Sequence, residues 1–248
     1  MTSGRSAVPR REVGSVARAI ALLDALAESE AGLGVNASTA SRLLATLEGG
    51  GLVERSAGGP YRLGLKLVSL SDRVLAGVDV RDRARPWLLT LVDETGETAT
   101  LSVPGAGAAI TVDFVPAPSS VVSMARLGRP SVSHATAAGK VMLAFGGDAA
   151  LSRGSDLTAY TERTITDPDA LVRELADVRE RGIAEAVGER EPDLAAMAAP
   201  VIGRGDELVA IIGLQGPASR LPVAKRRALE RPLRRAAAEV GRLLGGPG

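Results

Sequence analysis

The sequence predicts an α+β protein in two parts, and three observations carry that prediction. From Val13 to Leu65, two stretches place apolar residues at helical spacing and a short hairpin follows. From Thr95 onward, runs of β-forming residues alternate with helical patterns. Between them, Leu65 to Asp93 is helical again, broken by a turn near Gly77 to Val80, and reads as a connector.

Residues 1–12 read as a disordered leader: they are polar, carry Arg5, Arg10 and Arg11, and lack the apolar core of a signal peptide. Residues 13–65 form the first domain. Ser15 can cap a helix whose Val16, Ala19, Ile20, Leu23 and Leu26 share one inward face. A second helix starts near Asn36 or Ser38, turns Ala40, Leu43, Leu44 and Leu47 inward, and stops at Gly49, Gly50 and Gly51. Leu52–Arg55 and Tyr61–Leu63 then flank a turn, Ser56 to Pro60, as a hairpin. Residues 66–93 are the linker helices, with Pro86 limiting their regularity.

Residues 94–248 form the second domain. Thr98–Val103 and Ala109–Val115 read as strands joined through Pro104 to Gly107. Asp167 and Pro168 open a helix that buries Leu171, Leu175 and Val178 and ends at Gly182. Ala195–Ile202 and Leu208–Gln215 read as buried strands. Val223–Leu244 is a basic amphipathic helix with Leu229, Leu233, Ala236, Ala237, Val240 and Leu244 inward.

Composition narrows the chemistry. The 248 residues are 45% hydrophobic but only 2% aromatic, so the cores are built from Ala, Leu and Val. There is no cysteine and a single histidine, His134, which removes disulfides, thiol catalysis, zinc fingers and two-histidine metal sites. A net charge of +1 means that any nucleic-acid surface is local. No window approaches the roughly 18 apolar residues of a membrane span, and with no cysteine the chain fits the cytoplasm.

Asn36 to Leu47 is the most informative segment. Its outward face offers Asn36, Ser38, Thr39, Ser41, Arg42 and Thr46. Small hydroxyl residues let a helix seat deeply against a duplex, and Arg42 supplies charge or bidentate guanine readout. The hairpin is then a wing that carries Arg55 and Arg62 toward phosphates, in the order of a winged helix-turn-helix. A solvated Ser/Thr-rich helix beside an ordinary hairpin fits these residues equally well.

In the second domain, Thr136-Ala137-Ala138-Gly139-Lys140 enters a helix whose first amides are unpaired and attract a carboxylate, while the small residues admit a ligand or simply allow close packing. A Walker motif is excluded, since position 134 is His and Val141 follows Lys140. His134 reads as a structural hydrogen-bonding residue, Glu189-Arg190-Glu191 as a charged turn with local ion pairing, and Arg226, Arg227, Arg234 and Arg235 as a solvated face.

Taken together, Val13 to Leu23, Ser38 to Glu48, Gly51 to Arg55, Tyr61 to Gly64, His134 to Lys140, Thr161 to Asp167, Arg181 to Ala184, Gly188 to Glu191, Ala198 to Val201 and Gly216 to Arg220 resemble, in order, the IclR family of bacterial transcriptional regulators. The resemblance implies an N-terminal winged helix-turn-helix, a linker helix and a C-terminal α/β effector-binding domain of the GAF and PAS type. It implies double-stranded DNA with a pseudo-palindromic operator as one partner and a small organic acid as another. It also implies a homodimer that pairs through its DNA-binding domains, or a homotetramer. Effector contacts carried over by position fall on Met124, Leu127, Ala137, Ala138, Gly139, Ala186, Leu194, Ala196, Gly213 and Gln215. Family members that take small keto acids place acidic, thiol or hydroxyl groups at several of these sites; Ala186, Ala196 and Gly213 imply a roomier cavity for a larger or aromatic acid.

No cofactor, metal or catalytic residue is expected. An enzyme acting on a small acid would need a nucleophile, a base and an orienting group, and there is no Gly-x-Ser-x-Gly elbow. One departure from the family stands out. The family places a helix between Gly32-Leu33 and the recognition helix; here only Gly34-Val35 intervene, so about nine residues, some two and a half turns, are lacking. A deletion would leave Ala40, Leu43 and Leu47 without a packing partner and favour a sensing module that has lost DNA binding. The expectation here is a mobile segment that the numbering passes over. A spacing other than about 3.8 Å between consecutive Cα atoms from Leu33 to Ala37 would reveal it.

Overall fold

The computed structural model describes residues 13–28, 38–55, 59–70, 79–105, 107–119, 125–146 and 157–247, with the backbone alone at 28, 38–40 and 79. The chain divides after Gly77 into two compact units.

In the first unit, α1 (Gly14–Glu28) and α2 (Ser38–Gly49) precede a two-stranded hairpin of β1 (Val53–Arg55) and β2 (Tyr61–Leu63). Gly51, at φ 72°, supplies the left-handed residue that ends α2, and Leu52 N–H closes onto Leu47 O. Register pairs Val53 with Leu63 and Arg55 with Tyr61. Leu44 and Leu47 of α2 bury against Leu26 and Val53, with Ala19, Leu22, Leu23, Leu52 and Tyr61 around them. These leucines therefore find a partner in α1 itself. The α1 stripe is only partly inward as drawn from sequence, because Val16 and Ile20 are 56% and 54% exposed. The bonds from Leu33 to Ala37 lie outside the described residues. A helical stretch at 66–70 (α3) follows the hairpin.

The second unit begins with α4 (Asp79–Thr95), which contains Pro86. This helix, expected as the second half of a connector, packs on α7 (Val223–Leu243) and on the sheet. The five strands are β3 (Thr98–Pro104), β4 (Ala109–Val115), β5 (Ala184–Val187), β6 (Leu194–Ile202) and β7 (Leu208–Pro217), ordered β4-β3-β7-β6-β5 and antiparallel throughout. Helices α5 (Ala137–Phe145) and α6 (Pro168–Arg181) cover one face, and α4 and α7 the other.

Cover on both faces explains the unbroken runs of buried residues within β3 and β7. Thr136 caps α5 by accepting from Gly139 N–H; Asp167 caps α6, which ends at Gly182 with φ 64°. β5 was not expected from sequence; its alternating burial marks it as a strand with one inward face.

One buried acid, Glu97, fastens the α4–α7 side. Glu97 is held by Arg220 at 2.6 Å and Lys225 at 2.8 Å, and a Cβ at Gly216 would collide with its carboxylate. Arg227, Arg234 and Arg235 are exposed, as expected of a solvated face, with Arg234 and Arg235 also paired to Glu230 and Glu94, whereas Arg226 is drawn in to Glu185.

Candidate functional site

In the first unit, Ser41, Arg42 and Thr46 lie exposed on α2. Thr46 spends its hydroxyl on Arg42 O at 2.9 Å, which leaves the guanidinium of Arg42 as the long polar group there. Ser38 and Thr39 are helical, but their side chains, like Asn36, lie outside the described residues. On the hairpin, Arg55 donates to Gly59 O and sits 5.3 Å from the centre of the Tyr61 ring. Arg62 pairs with Glu54 at 2.9 Å, a partner that the sequence reading had not assigned.

In the second unit, the sheet face under the start of α5 is floored by small side chains. Strand register sets Ala186 beside Ala196 and Ala196 beside Gln215. One step along, Ala198 pairs with Gly213 and Gly213 with Thr100. Where larger residues would fill the space, these leave a cavity of about 110 Å³ bounded by the first residues of α5. Ala137, Ala138, Ala186, Leu194, Ala196, Gly213 and Gln215, all singled out from sequence, line it.

Other expected contacts lie elsewhere. Gly139 serves packing: a Cβ there would lie 2.6 Å from Ser133 Cα, so its absence lets α5 seat on residues 132–133. Leu127 is 51% exposed and lines neither the cavity nor the cleft outside it. Met124 lies outside the described residues.

Sequence reasoning missed the hydroxyl wall. Thr100 and Ser102 on β3 and Thr111 on β4 line the cavity, with Ser102 Oγ 3.3 Å from Thr111 Oγ1. Their signal was the period-two spacing of Thr100 and Ser102, which puts both on one face of β3, with Thr100 opposite Gly213. The amides of Ala137 and Ala138 open α5; Gly139 N–H is already spent on Thr136. Unspent amides at a helix start, beside hydroxyls and a glutamine, suit an anionic oxygen ligand.

A buried charge network braces the wall. Lys140 Nζ donates to Glu189 Oε1 at 2.7 Å, Glu174 Oε1 at 2.9 Å and Glu185 O at 2.9 Å. Burial pushes the Glu189 carboxyl above its usual value of 4.5, and Lys140 opposes that rise without cancelling it. Thr161 Oγ1 donates to Gly188 O at 2.6 Å and Thr164 Oγ1 to Glu189 O at 2.6 Å. His134 Nε2 meets Thr158 O at 2.9 Å, and the Arg190 guanidinium lies 4.4 Å from the Tyr160 ring centre. The 188–191 turn is thus held by distant partners, where local ion pairing was expected. Among the described residues no group of His, Asp and Glu is placed to hold a metal. No described helix is long and apolar enough to cross a membrane.

This arrangement is that of a ligand-sensing domain joined to a helix-and-hairpin domain, and comparison with known proteins agrees. Residues 15–57 match the IclR helix-turn-helix domain and residues 72–242 the bacterial transcriptional regulator IclR C-terminal domain. The HTH-type transcriptional regulator XynR of Escherichia coli is 32% identical over 246 residues, covering 94% of this chain and 98% of that protein. The crystal structure of an IclR regulator from Alicyclobacillus acidocaldarius superposes with a TM-score of 0.79 at 28% identity, covering 95% of this chain and all of that one. An IclR homologue from Microbacterium hydrocarbonoxydans, complexed with 4-hydroxybenzoate, shares the fold with a TM-score of 0.77 at 24% identity, covering 93% of this chain and 98% of that one. The chain belongs to the IclR family of bacterial transcriptional regulators, with the family's DNA-binding domain and C-terminal effector domain. The XynR alignment spans 246 positions but takes in only 94% of these 248 residues, so this chain lacks positions that the relative has.

Proposed function

We propose that the chain binds a pseudo-palindromic operator as a homodimer or homotetramer in the cytoplasm, and that a small organic or aromatic acid sets its affinity for DNA. The cavity carries this reading: it joins two unspent amides, a hydroxyl wall and small apolar surfaces in one enclosed space. The acid's carboxylate sits at Ala137 and Ala138, and its body lies over Ala186, Leu194, Ala196, Gly213 and Gln215. The related fold crystallised with 4-hydroxybenzoate supports an aromatic acid.

DNA contact falls to Asn36, Ser38, Thr39, Ser41, Arg42 and Thr46, with Arg55 and Arg62 on the wing meeting phosphates. Val13 just before α1, and Val16 and Ile20 on it, lie a turn apart and exposed, an apolar stripe suited to pairing two first units. Nothing in this reading calls on catalysis. A thermal-shift screen of organic and aromatic acids on the full chain tests it, since a binder of the folded state raises the melting temperature. The short link before α2, with only Gly34-Val35 between Leu33 and Asn36, favours one second reading, a sensor that has lost DNA binding. Failure to shift its own upstream DNA even at low salt would select that reading, because phosphate contacts are strongest there.

A further inference from the structure

Outside the cavity lies a cleft of about 600 Å³, and the two share Thr111, Ser131, Thr136, Arg190, Glu191, Leu194 and Gln215 as a throat. The cleft's outer wall carries Arg126 and Arg129, both exposed. Their loop is fixed to β4: Gly128 N–H donates to Thr111 O at 2.8 Å, Ser131 N–H donates to Ala109 O at 2.8 Å, and Pro130 bridges to Ile110. Elsewhere in this unit, arginines such as Arg85, Arg181, Arg220 and Arg226 are ion-paired, whereas no acid lies within ion-pair distance of Arg126 or Arg129 among the described residues. Glu191 and Asp193 also line the cleft and repel an anion, so a second negative group belongs on the arginine wall.

We propose, resting on the acid-effector reading above, that the effector is a two-headed acid. One carboxylate sits at Ala137 and Ala138, the body passes the throat beside Arg190, and a second anionic group lies between Arg126 and Arg129. A diacid then binds more tightly than the monoacid of equal length, by roughly tenfold for two charge-assisted contacts at an exposed site. Added salt narrows the ratio, because these arginines face solvent.

Calorimetry on the full chain decides it, comparing adipate with hexanoate, terephthalate with benzoate, and 4-carboxyphenyl phosphate as the phosphate arm. The expected result is a preference for the doubly charged member that falls to near parity in the Arg126→Gln, Arg129→Gln double variant; whichever arm gains more names the second group. Equal affinities in the wild-type chain, or a preference that survives in the double variant, overturn the two-headed effector while leaving the acid reading intact. Binding of no acid in any pair overturns both.

Discussion

Lys140 Nζ donates to Glu189 Oε1 across 2.7 Å, joining a helix and a turn 49 residues apart in the chain. The ammonium is 1% exposed and also serves Glu174, so two carboxylates depend on one buried cation. Removing that cation leaves buried negative charge with no counterion. Lys140→Met should lower stability by about 3–5 kcal/mol in urea denaturation. A loss under about 1 kcal/mol, the worth of a surface pair, would show that the network is not what braces the turn.

The same bond has a pH signature. The folded Glu189 carboxyl titrates above its usual 4.5, so between those two values the folded chain holds a proton that the unfolded chain has released. Stability from this group is full below the usual value and is lost as pH rises through the raised one. Glu189→Gln lacks that titration. Relative to wild type, the glutamine variant should therefore gain stability as pH climbs from about 4 toward neutral. A variant-minus-wild-type stability that stays flat or falls over that span contradicts the raised carboxyl.

Gly213 and Thr100 face each other across β7 and β3. A Cβ on residue 213 would lie 2.6 Å from Thr100 Oγ1 and 3.2 Å from Met197 O, and neither neighbour is the free end of a long side chain. Gly213→Ala should cost about 1–3 kcal/mol by overpacking. Combining it with Thr100→Ala should return part of that loss, a non-additive result between contacting residues. Additive losses in the double variant would mean that the clash is relieved elsewhere.

The wing predicts a gain of function. Arg62 is tied to Glu54 at 2.9 Å in the DNA-free chain. Glu54→Ala frees the guanidinium for phosphate, so DNA affinity should rise and its salt dependence steepen by about one phosphate contact. Arg42→Ala should act oppositely, weakening binding by about 1–3 kcal/mol. Fluorescence anisotropy over a salt series reads both. Unchanged slopes in both variants would move the DNA surface away from these residues.

What the sequence made legible follows from what each residue was doing locally. Thr136, Asp167 and Gly182 act on their own helix ends, and α5 and α6 begin or end where those residues place them. β5 went unseen because Ala184 and Ala186 carry little strand propensity and the strand begins two residues after a helix, with no turn segment to announce it. The cavity floor could be read from its small residues, but Thr100, Ser102 and Thr111 looked like ordinary strand formers until strand pairing set Thr100 beside Gly213 and Thr111 beside Ser102. Leu127 and Gly139 were misplaced for a related reason: a position carried over by resemblance does not say which way a loop or helix start faces. Partners for Lys140, Arg226 and Arg235 are 34 or more residues away, beyond any local pattern.

The central claim is that an acid in the cavity under α5 changes DNA affinity. The most direct measurement is anisotropy of the full chain on its own upstream DNA, with and without the best acid from the thermal screen, in wild type and in Ala196→Phe. The phenylalanine fills the cavity from β6 and leaves the first unit untouched. The account predicts an acid-dependent change of roughly 5–150-fold in wild type and none in the variant. An equal response in both proteins, or no response in a wild-type chain that binds both DNA and acid, would contradict it.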